Sequence, residues 1–446
     1  MTLTRWTLGL ALAATTLLSA CGGGSSSNTN IRLLNAAALY ANPLELQIGT
    51  GTPNTAVSYG NVNANYMSGG TSSTTYNILD STTGNTVLPL TMSLSGSTGP
   101  YTLVVYNYQG NLASTVVNEN LATPASGQSA IQILNTVPAK VSGSTAGGLD
   151  VYIAPAGVSG TTPITVSGRS VSQASTVTSG TFNITVTAQN QPSSVYLTLT
   201  GVALASQTNY TLVLTTSTSG VLVNGILLTQ QNGTTAYANG NARVRMVNAL
   251  TGTSANTTTA ALTGTVTTGS STSTLMSGST VQNIGSYSVL TAGTPTFNVT
   301  TGTGATIPVT SSVSTLSAGS DYTLLVSGDG TAANSVAKLI FDNNSAPVSG
   351  YSNFRLVNGM TGTAGALLSV NSQVLATGVA YGSASSPASL ASTTYASALL
   401  VTDQNLSSNP CSAYSPLASV PGNQVVSVFL AGSVAKPVCL SPYVEP

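Results

Sequence analysis

The chain of 446 residues carries nine Lys and Arg against nine Asp and Glu, and no His. Charged residues make up 4% of it, where about 25% is usual, so no net field draws in nucleic acid, anionic lipid or a charged substrate. With 41% apolar residues it has neither the low hydrophobicity nor the net charge of a disordered chain, and the lack of His removes the commonest general base and metal ligand.

At the N-terminus, Arg5 precedes an apolar run from Leu8 to Leu18. The run is too short for a hydrocarbon core, which needs about 20 apolar residues, but it suits a secretory signal. It closes with Leu18-Ser19-Ala20-Cys21, which resembles the bacterial lipobox. The resemblance implies cleavage of residues 1–20 and acylation of Cys21, giving an outer membrane lipoprotein on the periplasmic face or the cell surface. Several acyl chains would anchor it where one is marginal. Residues 21–30, rich in Gly and Ser, read as a flexible tether.

Beyond the tether the chain repeats. Ile31-Arg32-Leu33-Leu34-Asn35 returns as Ile131-Gln132-Ile133-Leu134-Asn135, Val244-Arg245-Met246-Val247-Asn248 and Phe354-Arg355-Leu356-Val357-Asn358. A second landmark follows each: YTLVV at 101, YTLVL at 210, YTLLV at 322 and QVVSV at 424. Between them stand TYNI at 75, TFNI at 181, TFNV at 296 and TYAS at 394. Three landmarks in one order, four times, define four units of about 100 residues, with boundaries at 31–125, 126–236, 237–348 and 349–446.

Each unit reads as strands. Phe182, Ile184 and Val186 alternate with polar residues, the period of a half-buried strand. Turn residues such as Ser217-Thr218-Ser219-Gly220 and Gly328-Asp329-Gly330 interrupt these runs. About seven short strands in 100 residues point to an all-β, immunoglobulin-like antiparallel sandwich; a parallel β-helix would repeat near every 20 residues instead. Tyr101, Tyr210 and Tyr322 sit where a tyrosine corner would place them, and Gln424 takes that place in the fourth unit. Four such units in line would reach about 100 Å at ~3.3 Å per strand residue.

Three further segments carry a resemblance. NPLELQIGTGTPNTAVSYG at 42–60, GGLDVYIAP at 147–155 and SQVLATGVAYG at 372–382 are similar to a bacterial family of unknown function. Its members show V-R-x-x-N, D-V-Y, V-x-Y-G and G-x-Y-T strands in tandem domains of exported proteins and lipoproteins. Only the second unit has the full Asp150-Val151-Tyr152; the first offers Glu45. The resemblance implies fold and location and brings no active site.

The unit ends, Asn118-Glu119-Asn120, Gln230-Gln231-Asn232 and Asp342-Asn343-Asn344, hold too few carboxylates for calcium, which takes six to eight oxygens. They read as satisfied turns. Ser335-Val336-Ala337-Lys338 and Ser433-Val434-Ala435-Lys436 match the S-x-x-K of serine acyl-transferases. That spacing works on a helix, whereas these copies occupy matching places in β units, where residues three apart point to opposite faces. No enzyme and no cofactor is expected. Cys411 and Cys439 are expected to form a disulfide outside the cytoplasm, stabilising the fourth unit by roughly 3 to 4 kcal/mol. Of 18 Tyr, most should fill half-buried sheet sites, while Tyr106 and Tyr108 share a strand face and are the candidates for an exposed contact. The expected role is structural or adhesive, with a glycan-binding module array or a periplasmic scaffold as alternatives. Expected partners are the membrane through the lipid, and a neutral glycan, a protein or another copy of the chain; nucleic acid is not among them.

Overall fold

The opening strand of each unit is buried on both faces, and the rest of the unit is arranged around it. The computed structural model describes residues 29–445 apart from 71, 95–98, 139–147, 159, 161, 218–220, 252–260, 280–282, 311–312 and 421. The signal, Cys21 and most of the tether lie outside the described residues. Among the described residues the only helical element is a 3-10 turn at Ser412–Tyr414, and no helix is long and apolar enough to cross a membrane.

Four opening strands, Thr29–Ala36, Gln128–Asn135, Asn241–Leu250 and Tyr351–Asn358, lie beside four closing strands, Tyr101–Tyr108, Thr208–Thr216, Asp321–Gly328 and Val425–Ser433. These pairs run parallel, as does the short Val309–Thr310 beside Ser335–Asp342, a departure from the antiparallel sandwich expected. The intervening chain visits the second sheet and returns to the same end, which a parallel neighbour requires. The register matches Ile31 to Tyr101, Ile131 to Tyr210, Val244 to Tyr322 and Phe354 to Val426. The fourth unit's corner position is therefore Val426 and not Gln424, because its approach loop is two residues longer than the YTLVV spacing suggests. In the second and third units the corner forms, Tyr210 Oη accepting from Ala205 N and Tyr322 Oη from Ser317 N, each at 2.9 Å.

Each inner sheet, made of these strands, packs on an outer sheet. In the first unit the outer sheet is Leu44–Ile48, Thr74–Asp80 and Thr86–Met92, and Leu33 and Leu103 meet Leu46 and Ile78 between the layers. Equivalent cores fill the other units. In the fourth, Cys411 and Cys439 are bonded to each other inside that core.

The conserved geometry of the opening strand ends on its Asn. Asn35, Asn135, Asn248 and Asn358 each accept from the backbone N–H two residues on. Each also donates across to a carbonyl of the same unit: Val57, Val166, Ser279 or Val379. A side chain that closes a turn and ties down a neighbouring loop at once explains why Asn stands at this place in all four copies.

The units do not form a row. A Leu34, Val104, Tyr106, Leu134, Val213 and Ile226 cluster lies between the inner sheets of units one and two. Val247, Leu325, Val357 and Phe429 do the same between units three and four. The positions correspond: two after the Arg or Gln of the opening strand, and three after the corner residue of the closing strand. Unit two meets unit three through Ser217 Oγ donating to Gly319 O at 2.9 Å. At Gly110, in a hairpin of the first unit, a Cβ would lie 2.9 Å from Val348 in the chain entering the fourth. The expected line of about 100 Å is replaced by two face-to-face pairs that touch, because the inner sheets carry apolar residues on both faces and must bury both.

Asn358→Ala should leave the Met360 N–H and the Val379 carbonyl without partners in a fully buried site. A loss of about 1–3 kcal/mol is expected, read as a lowered midpoint in urea unfolding; an unchanged midpoint would deny the Asn its role.

Candidate functional site: the face between paired units

The second residue of the motif repeated in the opening strands points away from its own core and into the neighbouring unit. Arg32, Arg245 and Arg355 are about 1% exposed or less. Each is held by the hydroxyl next to the corner position: Arg32 Nε donates to Thr102 Oγ1 at 3.1 Å, Arg245 Nε to Thr323 Oγ1 at 2.9 Å, and Arg355 Nε to Ser427 Oγ at 2.6 Å. The acid that ends each unit completes the group, as Glu119, Asp342 and Glu445. Unit two replaces both charges, with Gln132 donating to Thr211 Oγ1 at 2.9 Å and Gln230 donating to it at 3.3 Å. Arg goes with an acid and Gln goes with Gln, so at this position no unit is left with an unpaired charge.

Between units three and four these groups merge into a four-charge cluster. Arg245 Nη2 reaches Glu445 Oε1 of the other unit at 2.6 Å, and Arg355 Nη1 reaches Asp342 Oδ1 at 2.9 Å. Within the units, Arg355 Nη2 lies 2.9 Å from Glu445 and Arg245 Nη2 lies 3.7 Å from Asp342. The rings of Tyr287, Tyr443 and Phe429 stand 4.6, 5.0 and 5.2 Å from the Arg245 guanidinium, where a cation over a ring face is attracted. Beside them Arg243 makes a two-pronged bridge to Asp321 at 2.8 Å. Between units one and two the Arg32–Glu119 bridge, 2.7 Å long, meets backbone instead. Arg32 Nη1 donates to Asn232 O at 2.5 Å, and Gln231 N donates to Glu119.

Burial alone would raise the Glu445 carboxyl, but Arg245 and Arg355 facing it hold it below its ordinary value. Burial drives the Tyr287 hydroxyl well above its usual range, with Asp342 and Glu445 adding to the effect and Arg245 opposing it. Tyr287 therefore stays a donor, giving its proton to Asp342 Oδ2 at 2.6 Å.

A second contact repeats around the pairing. The turn that follows the V-x-Y-G pattern reaches the fifth residue after the partner's corner position. Tyr59 bonds Thr215 at 3.1 Å, Tyr381 accepts from Ser327 at 2.8 Å, and Arg169 donates to Tyr106 Oη at 3.4 Å. Arg169 holds a φ of 59° where Gly60 and Gly382 sit at 83° and 70°. A non-glycine residue in that conformation is uncommon, and its guanidinium lies 5.1 Å over the Tyr108 ring. Tyr106 and Tyr108 do share a strand face, but that face is covered by unit two. Tyr106 is fully buried, so neither tyrosine forms a free patch.

The other sequence candidates stay apart. Ser335 and Lys338 lie on one strand, whereas Ser433 and Lys436 face each other across a hairpin. Their places do not match: Ser335 pairs with Gly328, whose counterpart Gly432 pairs with Pro437, while Ser433 lies one residue further on and pairs with Lys436. Lys338 Nζ bonds the Tyr381 carbonyl at 3.4 Å. Asp150 accepts from Thr165 Oγ1 at 2.6 Å and Asn190 N at 2.8 Å, a hairpin-closing role. Glu119 and Asp342, read as turn residues, are the ion-pair acids. Among the described residues no group of His, Cys, Asp and Glu stands ready for a metal ion.

No protein-family model matches the chain, and no curated protein sequence does. Among solved structures it is similar to a candidate cell adhesion protein of Bacteroides uniformis, with 9% identity, a TM-score of 0.24, and coverage of 49% of this chain and 99% of that one. A carbohydrate-binding module of Eubacterium rectale in complex with maltoheptaose has 13% identity, a TM-score of 0.15, and coverage of 47% and 96%. Two B repeat units of the collagen-binding protein of Staphylococcus aureus have 9% identity, a TM-score of 0.14, and coverage of 94% and 99%. At these scores the similarities carry no weight for function. The fold rests on the strand pairing: tandem all-β sandwich domains.

Because the folded Glu445 carboxyl lies below its ordinary 4.5, its stabilisation is complete above that pH and is lost as pH falls through the lower folded value. Thermal unfolding of the chain should thus be flat from about pH 8 to about 5.5 and weaken below about 4.5. The sharpest loss should come in the transition of units three and four; a midpoint that rises on acidification would contradict the cluster.

Proposed function

We propose that the chain is a lipid-anchored envelope protein of structural or adhesive role, presenting two rigid pairs of uncharged sandwiches. The observation that carries this is where the charges go. Seven of the nine acids are buried, four of them in ion pairs with Arg32, Arg243, Arg245 and Arg355. Among the described residues the exposed charges are then Arg169, Asp329 and Lys436, with Glu45 and Lys338 half-buried, and most of the exterior is hydroxyl, amide, tyrosine ring, scattered apolar side chain and strand edge. Such a surface neither attracts nor repels charged neighbours, and it suits neutral polysaccharide or a protein face of like character. The lipobox resemblance at Cys21 and the resemblance to exported tandem-domain proteins support the location.

A second reading, glycan binding, has one feature in its favour. The outer sheet of unit two forms an open groove of about 390 Å³ lined by Tyr152, Asn183, Thr185, Thr187, Pro192 and Thr198. A ring beside a row of hydroxyls is the kind of surface a sugar face can stack on.

The anchor is tested by growth with labelled palmitate: the wild-type protein should carry label and Cys21→Ser should not, and an unlabelled wild type would remove the anchor. Adhesion of cells bearing the protein should survive from low salt to about 0.5 M, since exposed charges are screened beyond about 8 Å at physiological strength and few exist here. Loss by an order of magnitude over that range would mean a charged partner. Tyr152→Ala abolishing retention on a neutral glycan surface would favour the second reading over the first.

A further inference from the structure

Sheet edges invite pairing with another chain, and folded proteins blunt them with bulges, proline, charge or brevity. Among the described residues most edges are treated so. On the outer sheets, Thr86–Met92 contains Pro89, and Gln191–Leu204, Ser271–Ser279 and Gln373–Val379 all carry register shifts. Pro295–Thr301 opens with proline and is bridged at Thr300 to Thr306. On the inner sheets the strand after the closing one is capped in unit two by Thr234–Tyr237 and in unit three by Val309–Thr310. In unit four that strand is cut to Lys436–Cys439, with a lysine and Pro437 in it.

Asn111–Asn118 is the counterpart of those strands in unit one. It runs eight residues in unbroken register with Tyr101–Tyr108, and its sequence, NLASTVVN, has no charge, no proline and no glycine. Leu112 and Val116 pack on the unit's own core, while Ala113 and Val117 pack on the face toward unit two. Both faces are covered and the edge is not. Among the described residues no backbone group from Leu112 to Val117 is bonded outside the ladder with Tyr101–Tyr108.

We propose that this edge pairs antiparallel with the same strand of a second copy of the chain, joining two inner sheets into one of eight strands. In units two and three a strand of the chain itself takes this place, and in unit one a second copy of the chain can supply it. The edge is also self-complementary. A register with Ser114 or Thr115 on the two-fold axis keeps Leu112 and Val116 of both copies on one face, as period-two alternation requires. No charge on either strand opposes the approach, and main-chain bonds supply the attraction. The pairing does not depend on the anchor or on adhesion, so either can fail without the other.

The test is sedimentation of the full chain in mild detergent. Wild type should pass from monomer to dimer between about 1 and about 100 μM, and Ser114→Lys, which sets two like charges across the axis, should weaken dimerisation by about tenfold or more while the chain stays folded. A wild type that stays monomeric at about 100 μM, or a lysine variant that dimerises equally, overturns the proposal. Should Ser114→Lys fold poorly, Ser114→Cys answers instead with a short thiol crosslinker. Crosslinked dimer at position 114 and none at a Ser273→Cys control supports the pairing; the reverse, or no crosslink at either, refutes it.

Discussion

Three arginines placed on the wrong face of a strand decide the architecture. Arg32, Arg245 and Arg355 sit at the second position of the five-residue motif repeated in their opening strands, where the side chain points out of its own sandwich. Removing a guanidinium from water costs several kcal/mol unless an acid and further acceptors meet it. The meeting groups come from three places: the hydroxyl beside the corner residue, the acid that ends the unit, and the neighbouring unit's carboxylate or backbone. A unit alone supplies the first two. Only the pair supplies the third and the cover that excludes water.

The apolar residues around the charges have the same logic. Val104, Val213, Leu325 and Phe429 hold one position in four units, and each is fully buried between sheets. Pairing is reciprocal, since Tyr59 reaches unit two while Arg169 returns the contact to unit one. Four similar units thus settle as two quasi-symmetric dimers within one chain, the self-complementary arrangement usual between identical subunits. Gly359 shows how close the faces come: a Cβ there would lie 2.8 Å from the Ala249 side chain of unit three.

Much of this was legible in the sequence. The four units, the strand content, the corner tyrosines of units two and three, and the Cys411–Cys439 partnership follow from spacing and compartment. The pairing did not emerge, although its signal was present. The Leu-Val-Val and Leu-Leu-Val that end YTLVV and YTLLV do not alternate, and such an unbroken apolar run marks a strand buried on both faces. The acids at 119 and 342 were read within their turns, whereas their meaning lies some 80 to 100 residues back, in the Arg of the same unit. Unit two makes this visible by exchanging both partners for Gln. Tyr106 was placed on the right face but could not be seen to be covered, because strand periodicity says which residues share a side and not what lies against it.

The same arrangement sets what the exterior can do. With its ion pairs inside, the molecule meets its surroundings mainly through hydroxyls and amides, with one undefended strand edge among the described residues, and the two pairs hold their faces fixed while they do so. That account stands on the claim that the buried charges couple one unit to the next. The direct measurement is a double-mutant cycle on Arg245 and Glu445, which belong to different units and lie 2.6 Å apart. Arg245→Leu and Glu445→Leu should each cost about 3–5 kcal/mol, and together far less than their sum, because each single change strands a charge that the double change removes. Costs that add within about 0.5 kcal/mol would show that the units do not depend on each other through this cluster.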